Sequence, residues 1–324
     1  MKTEFVKGVC GMKKFPFFLP FAACPGRCVY CNQNRITGAE EIPDADSVRA
    51  ALAKLNEPRE VCFFGGSFLR FPSDTVKAYL DAVVQAAPKG SSIRFSTYPN
   101  DLDDEAVCNL LKKYPISRAE LGIQSLDAQV LRACKRELNP RDVLKSVAHA
   151  AAEGFPLGVQ LMIGLPGQTR ESSLSDLEKL AEIKGGSVWD LRIYPCLVIE
   201  GTELADMLSD GRYAPLTVDE AVSRGGELLE RAQEKGFNVI RVGLQETDTL
   251  AKSVLGGPHH PALGELIMAD AAVRKLLKEN PGGPWQIPKT AISKFSGHGG
   301  FGYSLLAKQT GKSPDEIKRL VRFV

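Results

Sequence analysis

No apolar run in this 324-residue chain approaches the ~20 residues needed to cross a bilayer, since Gly, Pro or a charge breaks the longest of them. The first residues, MKTEFVKGVCGMKKF, carry lysines but no apolar core ahead of a small-residue cleavage site, so no secretory leader is read there. These two absences lead to the expectation of a cytoplasmic protein with no membrane partner. An excess of one charge is missing too: 41 Lys and Arg face 39 Asp and Glu, leaving a net charge of +2. A global basic field for nucleic acid is thereby excluded, and an RNA surface would have to be a local patch, with Lys13, Lys14, Arg27 and Arg35 as candidates. Repeats and low-complexity tracts are absent. Histidine is scarce, four in all with the first at His149, and the pair C-x2-C occurs once.

What is present is the composition of an ordinary globular protein, 44% hydrophobic and 25% charged. Short β-rich runs recur at Phe15–Pro20, Val61–Phe64, Ile93–Tyr98, Ala119–Gln124, Val159–Ile163, Val188–Tyr194 and Val239–Val242. Amphipathic segments separate them: Asp46–Leu55, Asp74–Gln85, Asp103–Lys113, Arg141–Glu153, Glu171–Ile183 and Val218–Lys235, the last opened by a Thr217–Glu220 capping box. Units of this kind predict βα repeats with right-handed crossovers, and six or seven of them make a partial (β/α)6-type barrel in the α/β class. A closed barrel uses roughly 200–250 residues, so the expected division is a partial barrel over 1–246 and an extension over 247–324. That extension is rich in Gly, Pro and His, with a helix near Leu266–Leu277 and a short one opened by Ser313 and Glu316. In such barrels the chemistry sits at the C-terminal ends of the strands.

Cys24-Pro-Gly-Arg-Cys28-Val-Tyr-Cys31 follows the first strand directly. Three thiolates at C-x3-C-x2-C can hold three corners of a 4Fe–4S cube from one tight loop, leaving one iron open. The alternative is structural zinc, which wants four N or S ligands, usually as two pairs. No second pair exists, and Cys10 or Cys62 would have to complete such a site.

This loop resembles the hallmark of the radical S-adenosylmethionine (SAM) superfamily. The runs Phe18-Leu-Pro-Phe-Ala-Ala-Cys24, Cys31-Asn-Gln-Asn-Arg-Ile-Thr-Gly38, Phe64-Gly-Gly-Ser-Phe68, Glu120-Leu-Gly-Ile-Gln-Ser-Leu126, Gly164-Leu-Pro-Gly-Gln-Thr169, Leu191-Arg-Ile-Tyr-Pro-Cys-Leu-Val198 and Gly257-Pro-His-His-Pro261 are similar to the branch containing the elongator complex catalytic subunit (elongator protein 3). The resemblance spans residues 15 to about 265. It implies a 4Fe–4S cluster on Cys24, Cys28 and Cys31, with SAM on the open iron. Reduction by a donor such as ferredoxin or flavodoxin then yields a 5′-deoxyadenosyl radical that takes hydrogen from a substrate.

The resemblance also implies a SAM pocket built from Tyr30, Gly65, Gly66, Ser96, Glu120, Gln124, Arg136, Gln160 and Gly164. In this reading bare Gly65 and Gly66 let the SAM amino group approach strand-edge carbonyls, Arg136 pairs with the SAM carboxylate, and Gln160 reaches the ribose. Gln160 stands out because a polar side chain inside an apolar strand must find partners. Related enzymes often carry a glutamate where this chain has Ser96, so that contact is missing or comes from Glu120. Tyr194 and Cys196 are the expected catalytic, substrate-side residues, with His259 and His260 at the barrel mouth or on a solvated loop. Cys62 and Cys108 read as buried small hydrophobes. The substrate classes left open are RNA or tRNA, and a small molecule oxidised as by coproporphyrinogen oxidase relatives. A non-catalytic Fe–S or zinc protein is the third reading. Elongator catalytic subunits also use acetyl-CoA through a C-terminal acetyltransferase domain, and that half is expected to be absent, with no acetyl-CoA bound.

Overall fold

Seven β-rich segments alternate with amphipathic helices, and each adds one strand to a parallel sheet. The computed structural model describes residues 12–324, which leaves Cys10 outside the described residues. In chain order the strands are β1 (Lys14–Leu19), β2 (Glu60–Gly65), β3 (Ser92–Thr97), β4 (Ile116–Gln124), β5 (Leu157–Ile163) and β6 (Asp190–Pro195), then a two-residue strand β7 (Val198–Ile199), and β8 (Asn238–Val242). The sheet runs β1-β2-β3-β4-β5-β6-β8, all parallel, and curls into a half-barrel whose open edges are β1 and β8. All seven expected strands are present, β4 starting earlier than read, at Ile116. Both capping boxes, Thr217 with Glu220 and Ser313 with Glu316, are formed.

Strand side chains alternate with period two, and this decides where the site can be. Val61 and Phe63, Ile93 and Phe95, Leu191 and Ile193 join the core under the helices, with Phe63 and Phe68 stacked at a 4.9 Å centroid distance. Parallel sheets covered on both faces read as continuous apolar runs. Here the alternate positions are charged or polar: Glu60, Arg94, Glu120, Gln160, Asp190 and Arg192. They fill the concave face with a buried ionic network.

Glu120 is the centre of that network. It accepts from Arg94 at 2.6 Å and from Arg192 at 2.6 and 2.8 Å, and Gln160 Nε2 donates to it at 3.0 Å. Arg94 also reaches Glu60 at 3.0 Å and Asp190 at 3.2 Å, and Arg118 pairs with Asp190 at 3.0 Å. Burial pushes the Glu120 carboxyl up, but Arg192 and Arg94 outweigh it and hold it below the ordinary range. Gly158 leaves room for this packing, since a Cβ there would meet Glu120 Cγ at 3.3 Å and Asp190 Cβ at 3.4 Å.

Beyond residue 247 the chain adds strands β9 (Val254–Gly256), β10 (Trp285–Ile287) and β11 (Val321–Phe323). β9 pairs with β7, and β10 with β11. The helix Leu263–Glu279 packs on the helix Val218–Glu234 where Gly225 makes room, a Cβ there lying 2.8 Å from Ile267 Cδ1. Trp285, Phe295, Leu306 and Ile317 form a separate small core in the tail. Among the described residues no helix is long and apolar enough to cross a membrane.

Removing Glu120 leaves Arg192 buried without a counter-ion and takes one from Arg94. Glu120→Ala is expected to cost about 3–5 kcal/mol in urea unfolding, and a loss below about 1 kcal/mol would contradict the network's role. Because the carboxyl's pKa is lowered on folding, its stabilisation is present above its unfolded value of 4.5 and is lost as pH falls below it.

Candidate active site at the open end of the half-barrel

The chain leaves β1 at Leu19 through two non-glycine residues in left-handed backbone, Phe21 (φ 55°) and Ala23 (φ 50°), just before Cys24. Such conformations persist only where packing over-determines them. Here Ala22 N donates to Leu19 O at 3.1 Å and Cys24 N to Phe21 O at 3.2 Å. Gln33 ties both sides together: its Oε1 accepts from Phe21 N, and its Nε2 donates to Gly65 O at 2.9 Å. The end of β2 packs into the same turn, Gly66 N donating to Leu19 O and Ser67 N to Ala22 O, each at 2.8 Å.

This contact gives the two glycines, which also line the cavity, a steric reason of their own. A Cβ on Gly65, at φ 122°, would lie 2.7 Å from Leu19 O, and one on Gly66 would overlap the Ala22 carbonyl oxygen. The bare backbone is needed so that the cysteine loop can sit on β2. Farther along, Val29 N donates to Cys134 O at 3.2 Å and Leu204 N to Val29 O at 2.8 Å, which fixes the loop's other end.

Cys24, Cys28 and Cys31 are free, half-buried thiols on one cavity of about 110 Å³. Burial and then the neighbouring Cys28 push the Cys24 thiol up, and burial with Cys28 and Cys24 pushes Cys31 up to about 12. Among the described residues no group of three His, Cys, Asp or Glu converges as on one metal ion. Gln124 lies on the same cavity and is itself left-handed, at φ 68°, after a bulge in the β4–β5 pairing. Its Oε1 and the Arg136 Nε are buried without a hydrogen-bond partner in the protein. An all-sulfur donor set beside two unpartnered polar atoms fits an iron–sulfur cluster and a polar ligand next to it.

Arg136 is on the cavity as expected, but much of its fork is occupied. It donates to Cys28 Sγ at 3.4 Å and to Gly122 O at 2.5 Å, and it stacks 4.8 Å from the Tyr98 ring centroid. Burial pulls its pKa down, yet Tyr30 and Cys28 nearby hold it above the ordinary value. Tyr98 belongs to a knot in which Ser67, Thr97 and the Tyr98 N–H all donate to Asp101 Oδ2, at 2.5, 2.6 and 3.0 Å. That knot anchors the ends of β2 and β3 at the rim.

A second cavity of about 690 Å³ adjoins the first and shares the walls Tyr30, Cys31, Gly65, Ser96, Gln124 and Gln160. Tyr194 and Arg192 line this larger space, and Arg192 reaches the Tyr194 hydroxyl at 3.4 Å. Glu120 also lines it rather than the smaller cavity, and its bonds to Arg94, Arg192 and Gln160 occupy it, so it does not replace the missing charge at Ser96.

Other expected residues lie elsewhere. Gly164 is on neither cavity wall, and its carbonyl accepts from Tyr213 Oη at 2.6 Å. Cys196 is 1% exposed in a small core with Cys134, Leu165 and Tyr213, so it packs behind the site and faces no substrate space. Burial pushes its thiol up to about 12. His259 pairs with Glu246 at 3.0 Å and His260 accepts from Ala262 N at 3.0 Å; neither lines either of these two cavities, and Leu244, Gln245 and Thr247 form that rim instead. Cys62 and Cys108 are buried, as expected. Sequence reasoning passed over Gln33 and Arg192. The rule that singled out Gln160, a polar residue inside an apolar strand, applies equally to Arg192.

Residues 18–180 match the radical SAM superfamily and residues 188–275 match the radical SAM C-terminal domain. The chain belongs to the radical SAM superfamily. The first match runs from within β1 into the helix Arg170–Lys184 after β5 and contains every residue of the smaller cavity. A tRNA uridine(34) acetyltransferase of Methanocaldococcus infernus is 24% identical over 312 residues, covering 82% of this chain and 58% of that protein. The mitochondrial radical SAM domain-containing protein 1 of Mus musculus is 31% identical, covering 68% of this chain and 51% of that protein. The solved structure of the archaeal M. infernus Elp3 with an N-terminal deletion aligns with a TM-score of 0.58 at 23% identity, covering 84% of this chain and 63% of that one. The chain thus spans little more than half the length of these curated relatives. It is a radical SAM enzyme, similar in sequence to the tRNA uridine(34) acetyltransferase named above.

The buried position of Cys196 carries a direct consequence. In the native radical SAM chain at pH 8, iodoacetamide is expected to leave Cys196 and Cys62 unmodified, as peptide mass spectrometry can read. Rapid alkylation of Cys196 would put it back on an accessible wall.

Proposed function

We propose that Cys24, Cys28 and Cys31 hold a 4Fe–4S cluster, that SAM lies beside it in the smaller cavity, and that an organic substrate enters the larger one. The observation that carries this reading is the wall shared by the two spaces, with the three thiols on one side and Tyr194 on the other. When bound, the cluster supplies the electron that cleaves SAM to a 5′-deoxyadenosyl radical able to take hydrogen from the substrate.

The chain's own residues then have distinct tasks. Gln33 and the Gly65–Gly66 contact hold the cysteine loop in place. Arg136 donates to Cys28 Sγ, and its Nε with Gln124 Oε1 offers partners to the polar end of SAM. Gln160 and Ser96 give that ligand neutral polar contacts on the shared wall. Tyr194, held by Arg192, faces the substrate. An external one-electron donor of the ferredoxin or flavodoxin class reduces the site.

A space of about 690 Å³ suits a small molecule or one flipped-out nucleotide rather than an RNA helix. The tRNA-acting relative supports a nucleotide of RNA as the first candidate, and oxidation of a free small molecule is the second.

Single replacement of Cys24, Cys28 or Cys31 by Ala is expected to strip most iron from the anaerobically reconstituted protein and abolish 5′-deoxyadenosine formation, while Cys108→Ala keeps both. Full iron and turnover in any one of the three variants would overturn the assignment. Arg136→Ala is expected to weaken SAM binding by about 1.5–3 kcal/mol in equilibrium titration, and unchanged affinity would remove Arg136 from the pocket.

A further inference from the structure

The larger cavity is electrically unbalanced, and the imbalance is local. Its charged wall residues are Lys14, Glu120, Arg192 and Arg241. Three of these are matched within the protein. Lys14 Nζ lies 3.9 Å from Glu60 Oε2, and Arg192 and Glu120 share two hydrogen bonds. Arg241 has no carboxylate within ion-pair distance among the described residues, and its one polar contact is the neutral Gln245 Oε1 at 3.5 Å.

Its position makes this costly. In the β6–β8 register Arg241 stands directly beside Arg192, two guanidiniums on adjacent strands of one concave face. Like charges placed opposite one another destabilise a sheet. Glu120 neutralises Arg192 but is already shared with Arg94, so it has little left to give the second arginine. Arg241 is half-buried at the lip of the space, close enough to act on the Tyr194 phenol. Away from this corner the wall is largely apolar, with Phe18, Phe64, Met162 and Leu197.

We propose that Arg241 is the docking cation for an oxyanion of the substrate, a carboxylate or a phosphate, whose apolar or planar body lies along Phe64 and Met162 towards the cluster side. The guanidinium fork takes such a group bidentately, and its binding relieves the Arg192–Arg241 repulsion. Arg241 thereby sets which end of the substrate faces Ser96 and Gln160. This rests on the larger cavity being the substrate space, as proposed above.

Labelling by phenylglyoxal, read by peptide mass spectrometry on the reconstituted full chain, tests it without turnover. Arg241 is expected to react faster than Arg192. Saturating uridine 5′-monophosphate or 4-phenylbutyrate is expected to slow Arg241 labelling at least about tenfold, as a charged bidentate contact implies, whereas uridine and 4-phenylbutanol are not. Protection by the nucleotide alone assigns a phosphate and by the acid alone a carboxylate. The protecting compound's thermal shift is expected to vanish in Arg241→Gln. Slow labelling of Arg241, no protection by either anion, or equal protection by the neutral partners overturns the inference. None of these results depends on SAM cleavage, so they leave the iron and deoxyadenosine tests above to judge the cluster separately.

Discussion

The structure depends on how a carboxylate can be kept charged inside a half-barrel. Glu120 sits 1% exposed at the middle of the sheet, where an unpaired charge would be very costly, and it survives because arginines from β3 and β6 close on it together. Through that one side chain, strands at opposite flanks of β4 are drawn towards each other across the concave face. One side chain thus ties together strands that wall the cavity and supplies charge that makes it polar. The apolar alternates on the same strands bury against the helices, so the inner face is spared the hydrophobic filling of a closed barrel.

At the rim the governing constraint is steric. The cysteine loop approaches the end of β2 so closely that neither Gly65 nor Gly66 can carry a side chain, and Gln33 bonds both partners of the contact. Strained backbone at Phe21, Ala23 and Gln124 surrounds the cavity that the three thiols line. Stored strain of this kind is what a preorganised site costs, and the ordered network beneath it supplies the rigidity.

Much of this was legible in the chain itself. Short β-rich runs between amphipathic segments located all seven strands, and the C-x3-C-x2-C spacing located the thiols without help from the fold. Gln160 was found because a lone polar residue in an apolar strand demands an explanation. Three things were hidden. Cys196 follows a strand end, where chemistry is usual, yet it packs into a separate small core with Cys134 and Tyr213, which sequence position cannot report. Gly164 has the right motif, but Tyr213, far along the chain, takes its carbonyl. Arg192 and Arg241 lie far apart in the chain, and only the strand register shows that they stand side by side.

The central claim is that three thiolates hold a cluster with one iron left open to SAM. Electron paramagnetic resonance of the anaerobically reconstituted and reduced chain tests it most directly. The account predicts a reduced 4Fe–4S signal whose g-values change when SAM is added, because a ligand reaches the open iron. A signal that is identical with and without SAM, or a protein that takes up zinc and no iron–sulfur cluster, would contradict it.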